Sequence, residues 1–200
     1  MKVIGLTGGI GAGKSTVSNI LREKGCCIID ADAISHQITE KGSDTLQQLA
    51  KAFGEDILFD DGSLDRKKLA AIAFSDEKQR RKLEDLTTKR VLSLIDQTLQ
   101  NLRRESSYDI IFIDAPLLFE TGADKMTDLV WLVTAEKETR IARVMERDGA
   151  TRQQVLARMS SQMDDREKER RTEEIIDNSK GKEELRRQVE QLLVKYAEPK

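Results

Sequence analysis

The chain has 200 residues, of which 38% are hydrophobic and 35% charged, and its 34 basic and 36 acidic side chains give a formal net charge of −2. This length suits one ordinary domain with room for a small inserted subdomain. The near balance of charge and an aromatic content of 4% argue against a nucleic-acid partner. No run approaches the ~18 apolar residues of a membrane helix, so no membrane partner is expected either.

Cysteine and histidine are too sparse for several classes of site. Cys26 and Cys27 are the only cysteines and are adjacent, so they can neither link distant segments nor form a zinc site. The one histidine, His36, argues against a multi-histidine metal centre and a Ser-His-Asp triad. The first residues, MKVIGLTGG, do not resemble a signal peptide. A reducing, cytoplasmic location is therefore expected.

Short apolar runs rich in Val and Ile alternate with longer helical patterns. The runs predict buried strands at residues 2–7, 26–30, 109–116 and 128–135, with a weaker strand at 173–179. Strands that alternate with helices predict an α/β fold whose parallel sheet is covered on both faces. The first helix should begin near Lys14 or Ser15 and end at Gly25. The residues that it should bury are Val17, Ile20 and Leu21.

The segment between the second and third predicted strands, residues 31–108, is long and helical in pattern. A crossover of this size exceeds what one βαβ unit needs. We interpret it as a helical insertion over the carboxyl edge of the sheet, where α/β proteins bind ligands. Its last predicted helix carries an apolar stripe of Leu83, Leu86, Val91, Leu94, Ile95, Leu99 and Leu102.

A glycine-rich motif lies between the first predicted strand and the first helix. Residues 8–15, the phosphate loop, read GGIGAGKS and match G-x-x-x-x-G-K-[ST] in full. Glycines let backbone N–H groups curl around phosphates, Lys14 reaches the β- and γ-phosphates, and the Ser15 hydroxyl can bind Mg²⁺. The helix that follows directs its N-terminal dipole at the anion. The motif predicts a triphosphate site, and the alternative is a strand-to-helix turn without a ligand.

Three aspartates follow predicted strands. Asp30 and Asp32 come just past the second strand, and a two-residue spacing in an extended chain points both carboxylates the same way. One of them could hold or deprotonate an attacking hydroxyl, whereas the alternative is that one is a helix N-cap. Asp114 ends the third strand, where P-loop proteins hold an acid that organises Mg²⁺. Its alternative is a turn-forming aspartate before Pro116.

Three arginines share one face of the helix after the fourth strand, since Arg140, Arg143 and Arg147 are spaced by three and four residues. Glu136 is spaced to pair with Arg140, and Glu146 with Arg143. Arg147 has no acid three or four residues away and precedes a flexible glycine, so it is a candidate to close over transferring phosphates. The alternative is a solvated surface arginine.

An apolar helical stripe and a highly charged run follow these arginines. The stripe is expected to pack locally, and together with the run DDREK it could form a lid that excludes water from the transfer. His36, four residues after Asp32, could contact a substrate or be structural. Trp131 and the two cysteines are expected in the core. The stripe consists of Val155, Leu156, Met159 and Met163.

Several motifs together resemble those of the dephospho-CoA kinase family. They read IGLTGGIGAGKST, IIDADAISHQI, DGSLDRKKLAAIAFSD, IDAPLLFETG, RDGATRQQVLARMSSQ and IDNSKGKEELRRQV, in order along nearly the whole chain. The resemblance implies a P-loop NTPase three-layer fold with a five-stranded parallel sheet, a helical acceptor-binding insertion and a lid. It implies transfer of the ATP γ-phosphate, with Mg²⁺, to the ribose 3′-hydroxyl of dephospho-CoA, the last step of coenzyme A synthesis. It carries no indication of an oligomeric state.

The resemblance also implies roles for segments and residues. The core would comprise about 1–33, 107–147 and 172–200, the insertion about 34–106 and the lid segment about 148–171. The catalytic residues would be Lys14, Asp32, which would act on the 3′-hydroxyl, and Arg147. The ATP-binding residues would be Gly11, Ala12, Gly13, Lys14, Ser15, Thr16, Arg140 and Asn178. The acceptor would be bordered by Asp32, His36, Pro116, Leu117, Leu118, Phe119 and Glu120. Mg²⁺ would bind at Ser15, with Asp114 behind it.

Three positions depart from the family pattern. Members often have Pro-Gly at Lys41-Gly42, His-Pro at Thr88-Lys89 and Ala-Asp at Thr172-Glu173. All three departures lie in the insertion or in outer elements, so they bear on the acceptor site and not on the phosphate chemistry.

Two other functions compete with this interpretation. A small kinase of the same fold could act on a nucleoside monophosphate or a sugar-like alcohol, and the motifs DAPLLFE and DAD are what favour dephospho-CoA instead. A GTP-binding switch would need an [NT]-K-x-D segment, which NSKG at 178–181 does not match. The insertion arginines that leave the first competitor open are Arg66, Arg80, Arg81 and Arg90.

Overall fold

The computed structural model describes residues 1–73, 76–105 and 108–197. Parts of the predicted core and insertion, residues 74, 75, 106, 107 and 198–200, lie outside the described residues. The chain divides into two compact units. One consists of Met1–Ile29 and Leu102–Lys200, and the other of Asp30–Asn101.

The sheet has five strands in the spatial order β2-β3-β1-β4-β5. The strands are β1 (Lys2–Gly8), β2 (Cys27–Asp30), β3 (Ile110–Asp114), β4 (Leu129–Thr134) and β5 (Glu174–Asp177). β1 lies at the centre and pairs in parallel with β3 and β4, and β4 pairs in parallel with β5. All five predicted strands are thus confirmed, and the order puts the carboxyl end of β1 between those of β3 and β4.

Helices connect the strands. In the described residues they are α1 (Lys14–Glu23), α2 (Ala31–Gln37), α3 (Asp44–Phe53), α4 (Arg66–Ala73), α5 (Glu77–Glu105), α6 (Leu118–Thr121), α7 (Lys137–Asp148), α8 (Arg152–Ser160), α9 (Asp165–Arg170) and α10 (Lys182–Tyr196). Short 3₁₀ helices occupy Glu55–Ile57 and Ala123–Met126. The first helix begins at Lys14 as predicted.

The core of the larger unit lies between the sheet and helices α1 and α10. Trp131 of β4 is fully buried and packs edge-on against Phe112 of β3, with 5.0 Å between the ring centroids. This confirms that Trp131 is a core residue. Cys26 packs against the same core, and burial raises the pKa of its thiol. The helix residues in this core are Val17, Ile20, Leu21, Leu185 and Val189.

The smaller unit is built from the helices α2 to α4 and most of α5. Its core consists of Leu49, Ile57 and Leu69, with half-buried apolar neighbours that include Leu83 and Leu86 of α5. Ile95 and Leu99 of the predicted stripe are also buried. None of the helices among the described residues combines the length and the apolar character that crossing a membrane requires.

Candidate active site

The phosphate loop joins the end of β1 to the start of α1. Gly11 and Gly13 have φ angles of +78° and +92°, in the left-handed region that glycine adopts without strain. Gly13 is the N-cap of α1, which begins at Lys14, so the N–H groups of the first turn that have no helical partner open onto the loop. Ser15 lies in this turn and is exposed, which leaves its hydroxyl accessible.

Lys14 and Asp114 form an ion pair beside the loop. Asp114 ends β3 next to Leu6 of the central strand, and it is 4% exposed. Its carboxylate accepts a hydrogen bond from Lys14 Nζ on one oxygen and from Ser18 Oγ, at 2.5 Å, on the other. Asp114 lies at the strand end where it is predicted, whereas Ser18 was not predicted as its partner; Ser18 is a buried polar residue on the otherwise apolar inner face of α1.

Asn178 supports the loop from the end of β5. Its side chain donates to the carbonyl oxygen of Ala12 at 2.8 Å, and its backbone N–H donates to Thr134 at 2.8 Å. A Cβ at Gly13 would collide with the Asn178 amide, so glycine is needed there for space as well as for φ. Arg143 in turn donates to the Asn178 carbonyl oxygen at 3.1 Å. The structure therefore has Asn178 buried against the loop backbone.

Arg140 supports the opposite side of the loop. It is 4% exposed, and its Nε donates to the Ile10 carbonyl oxygen at 3.0 Å, while Nη1 pairs with Asp165 at 2.6 Å. The pairings of Arg140 with Glu136 and of Arg143 with Glu146 that helical spacing predicts are therefore wrong. The spacing rule describes solvated helix faces, whereas this face of α7 is turned toward the loop, so tertiary partners replace the local ones.

The lid segment contacts both the loop and α6. Gln162 accepts a hydrogen bond from the Ile10 N–H at 3.1 Å, and Glu120 accepts one from the Met163 N–H at 2.9 Å. Glu120 Oε1 also lies 3.3 Å from Nζ of Lys168, a side chain that is fully buried. No sequence pattern predicts these contacts, because each joins residues more than forty positions apart.

The apolar stripe of the lid segment packs locally, as predicted. Val155 is fully buried with Ile141 and Val144 of α7, and Leu156 and Met159 pack against this cluster. An open cavity of about 820 Å³ lies beside α8 and α9, with Arg140, Met159 and Asp165 among its lining residues.

Arg147 pairs with the residue that follows it. It has no acid three or four residues away, as predicted, but its Nε and Nη2 donate to the carboxylate of the next residue, Asp148, at 2.7 and 3.1 Å. The hydrogen bond to Asp148 raises the pKa of Arg147. The hydrogen bond from Arg147, aided by Arg158, lowers the pKa of Asp148. The Arg147 side chain is 64% exposed.

The segment Pro116–Glu120 has two kinds of side chain. Leu118 is fully buried and packs so closely on β1 that a Cβ at Gly5 would lie 2.6 Å from its Cδ2. Phe119 is 7% exposed, whereas Leu117 is 41% exposed. The Pro116 carbonyl oxygen accepts a hydrogen bond from Thr7 at 3.3 Å. Leu117 and Glu120 are exposed and Pro116 is half-buried, so these three residues offer surface to a ligand.

Asp30, Asp32 and His36 lie around α2 in the smaller unit. Asp30 is the N-cap of α2 and accepts a hydrogen bond from the Ala33 N–H at 2.9 Å, so the N-cap alternative is confirmed for Asp30. The prediction that Asp30 and Asp32 lie on an extended chain is wrong, because α2 begins between them at Ala31. Asp32 and His36 are four residues apart in α2, share one face of it and are exposed.

The family departure at Thr172-Glu173 has a structural role of its own. Glu173 accepts a hydrogen bond from the Val130 N–H of β4 at 2.7 Å, and Thr172 donates to the Lys168 carbonyl oxygen at 2.7 Å. The departure at Thr88-Lys89 includes an ion pair of Lys89 with Asp85 at 2.8 Å.

Comparison with known proteins gives consistent matches. The family model described as dephospho-CoA kinase matches residues 2–184. A dephospho-CoA kinase of Geobacter sulfurreducens is 42% identical over 195 residues, which cover 98% of this chain and 98% of that protein. A dephospho-CoA kinase of Listeria innocua is 40% identical over 190 residues, covering 94% of each.

Solved structures give the same result for the fold. A Thermus thermophilus protein superposes with a TM-score of 0.86 at 34% identity, covering 98% of both chains. The dephospho-CoA kinase from Campylobacter jejuni superposes with a TM-score of 0.72 at 28% identity, covering 96% of both. A shikimate kinase from Acinetobacter baumannii, at 16% identity and a TM-score of 0.55, shares the fold alone. These likenesses confirm the predicted α/β fold of the P-loop kinases with a five-stranded parallel sheet.

Proposed function

The chain belongs to the dephospho-CoA kinase family, and on that premise we propose that it transfers the γ-phosphate of ATP to the ribose 3′-hydroxyl of dephospho-CoA, giving coenzyme A and ADP. The observation that carries this proposal is the phosphate loop with its lysine paired to Asp114, in a chain alike over its whole length to a dephospho-CoA kinase. The reaction completes coenzyme A synthesis, and we propose a cytoplasmic location for it.

ATP is bound by the loop and the first turn of α1. The backbone N–H groups of residues 11–16 surround the phosphates, and Lys14 stabilises the charge that develops on the γ-phosphate. Arg140 and Asn178 act from either side by holding the Ile10 and Ala12 carbonyl oxygens. A loop whose shape is fixed before ATP binds loses little conformational entropy on binding.

The donor atoms at Ser15 and Asp114 fit Mg²⁺. Ser15, exposed at the first turn of α1, offers a hard oxygen ligand, whereas both oxygens of Asp114 accept hydrogen bonds from Lys14 and Ser18, so Asp114 would support the ion from behind Ser15. Among residues 1–73, 76–105 and 108–197, no group of three or more His, Cys, Asp or Glu side chains could hold a metal ion. That agrees with an ion held largely by substrate phosphates and water. Mg²⁺ bound there would neutralise charge on the β- and γ-phosphates.

The acceptor is handled by residues that follow β2 and β3. Asp32 comes directly after β2, and since the carboxyl ends of parallel strands share one edge, we assign it to the 3′-hydroxyl, whose proton it accepts. His36, exposed one turn further along α2, is assigned to the acceptor on the family resemblance, and so is the exposed Leu117. Arg147 is paired with Asp148, and it releases this carboxylate to bind the transferring phosphate.

One assay tests the reaction. The protein is incubated with ATP and Mg²⁺ and with dephospho-CoA, AMP, CMP or gluconate, while ADP release is followed and products are identified by mass. We expect release to be stimulated by dephospho-CoA and coenzyme A to be formed. The control is Lys14→Ala, which should lose the stimulation because it removes the charge at the γ-phosphate. Stimulation by another acceptor and none by dephospho-CoA would contradict the proposal.

A further inference from the structure

Ile10, the third residue of the phosphate loop, is held on both of its backbone groups by side chains from elsewhere in the chain. Its N–H donates to Gln162 Oε1 at 3.1 Å, and its carbonyl oxygen accepts from Arg140 Nε at 3.0 Å. Arg140 then pairs with Asp165 at 2.6 Å. Gln162 and Asp165 both belong to the lid segment, so two of its residues are linked to one residue of the loop. We call Gln162, Arg140 and Asp165 the Ile10 clasp.

The side chain of Ile10 makes the same connection through apolar contact. It packs against the buried cluster of Ile141, Val144 and Val155, to which Leu156 and Met159 of α8 also belong. The loop and the lid segment therefore share part of one small core. A displacement of α8 would expose this apolar surface as well as break the hydrogen bond of Gln162.

Gly9 shows how closely the Ile10 clasp approaches the loop. A Cβ at Gly9 would collide with Arg140 Nη2 and would lie 3.2 Å from Asp165 Oδ1. Gly9 is not among the glycines with positive φ, so backbone strain does not require glycine here. The space taken by Arg140 and Asp165 is what requires it.

We propose that Gln162 and Asp165 are positioning residues that fix the lid segment on the phosphate loop through the Ile10 clasp. This proposal rests on the proposed function, and it makes two properties depend on the same contacts. The first is the affinity of the loop for the ATP phosphates, and the second is the exclusion of water while the γ-phosphate is transferred. Asp165 acts through Arg140, and Gln162 acts through the Ile10 N–H.

The first experiment uses a matched pair of lid variants. Gln162→Met keeps the length of the side chain and removes the hydrogen-bond acceptor, and Gln191→Met makes the same change at an exposed position of α10. For Gln162→Met we expect the rate of tryptic cleavage within residues 148–171 and the Kd for ATP, measured without acceptor, to rise about three- to tenfold, the effect of one hydrogen bond. ATP hydrolysis without acceptor should rise relative to transfer, and Gln191→Met should match the wild type.

Two further variants separate the effect of an added charge from the effect of displacing Arg140. Gln162→Glu retains a hydrogen-bond acceptor for the Ile10 N–H but adds a charge beside the phosphates, so it should keep wild-type cleavage while its Kd for ATP rises. Gly9→Ala displaces Arg140 without altering either lid residue, and it should accelerate cleavage as Gln162→Met does. Thermal unfolding of each variant checks that the fold is intact.

The outcomes distinguish this proposal from the proposed function. Cleavage and ATP binding need no acceptor, so they test the Ile10 clasp even if dephospho-CoA is not the substrate. The proposal is overturned if Gln162→Met equals Gln191→Met in both cleavage and Kd for ATP. It is equally overturned if Gly9→Ala is cleaved at the wild-type rate, because the Arg140–Asp165 link would then not hold the lid segment.

Discussion

The ammonium group of Lys168 is fully buried and lies 3.3 Å from the Glu120 carboxylate, which is 24% exposed. In the part of the chain that the structure describes, no hydrogen bond satisfies this ammonium. Glu120 also accepts the Met163 N–H, so one carboxylate attaches two residues of the lid segment to α6. The two charges are unequally buried, and removing one or the other therefore has unequal consequences.

We expect Glu120→Gln to destabilise the protein by about 3 kcal/mol, because it leaves the buried Lys168 charge without its counter-charge. Lys168→Met should cost about 1 kcal/mol or less, since the Glu120 carboxylate that remains can be hydrated. Urea unfolding curves with equal slopes would measure both changes. Equal losses in the two variants would contradict the asymmetry.

Ser18 is expected to matter for the phosphate loop although it touches no substrate. Ser18→Ala removes one of the hydrogen bonds to the nearly buried Asp114 carboxylate, at a cost of about 1–2 kcal/mol in stability. Asp114 is then less firmly oriented toward Lys14, and we expect kcat/KM for ATP to fall about tenfold. Steady-state kinetics beside Asn19→Ala, an exposed neighbour on α1, would measure this. Equal kinetics in the two variants would disprove the role.

The titration of Asp148 gives a test by pH. Hydrogen bonds from Arg147 and Arg158 lower its pKa in the folded protein. Their contribution is therefore present above the ordinary aspartate pKa and is lost as the pH falls through the lower folded value. NMR titration of the Asp148 carboxyl should show a pKa that rises in Arg147→Gln. It should stay unchanged in Arg187→Gln, whose guanidinium pairs with Glu184. No rise in Arg147→Gln would mean that the pair does not persist in solution.

Matched substitutions of Asp32 and Asp30 test which aspartate acts on the hydroxyl of the acceptor. Asp32→Asn should lower kcat for transfer about 100-fold or more, the usual contribution of a general base, with the KM for ATP within about twofold of the wild type. Asp30→Asn should remain close to wild type, because asparagine caps a helix as well as aspartate does. Kinetics with varied ATP and varied dephospho-CoA measure both. A near-normal kcat in Asp32→Asn would remove Asp32 from the mechanism.

The periodic parts of the fold were predictable and the tertiary contacts of the site were not. Runs of Val and Ile predicted both ends of every strand to within two residues, and the glycine motif predicted where α1 begins. The prediction of an extended chain at Asp30 and Asp32 failed because Ala31 already starts a helix, which no two-residue spacing reveals. The predicted partner of Arg140 was wrong for a related reason, since its actual partners Ile10 and Asp165 are 130 and 25 residues away. Helical spacing describes only neighbours on the same helix.

Two basic residues assigned to phosphate, Lys14 and Arg147, already have counter-ions within the chain. Lys14 is paired with Asp114 and Arg147 with Asp148. An anion must therefore compete with a carboxylate for each of these cations, and its net affinity is the difference between the two pairings. We expect the charge of the anion to decide whether it binds. A monovalent anion gains little by displacing a carboxylate, whereas a polyphosphate can replace both carboxylates at once, so the pairs act as a filter against small cellular anions.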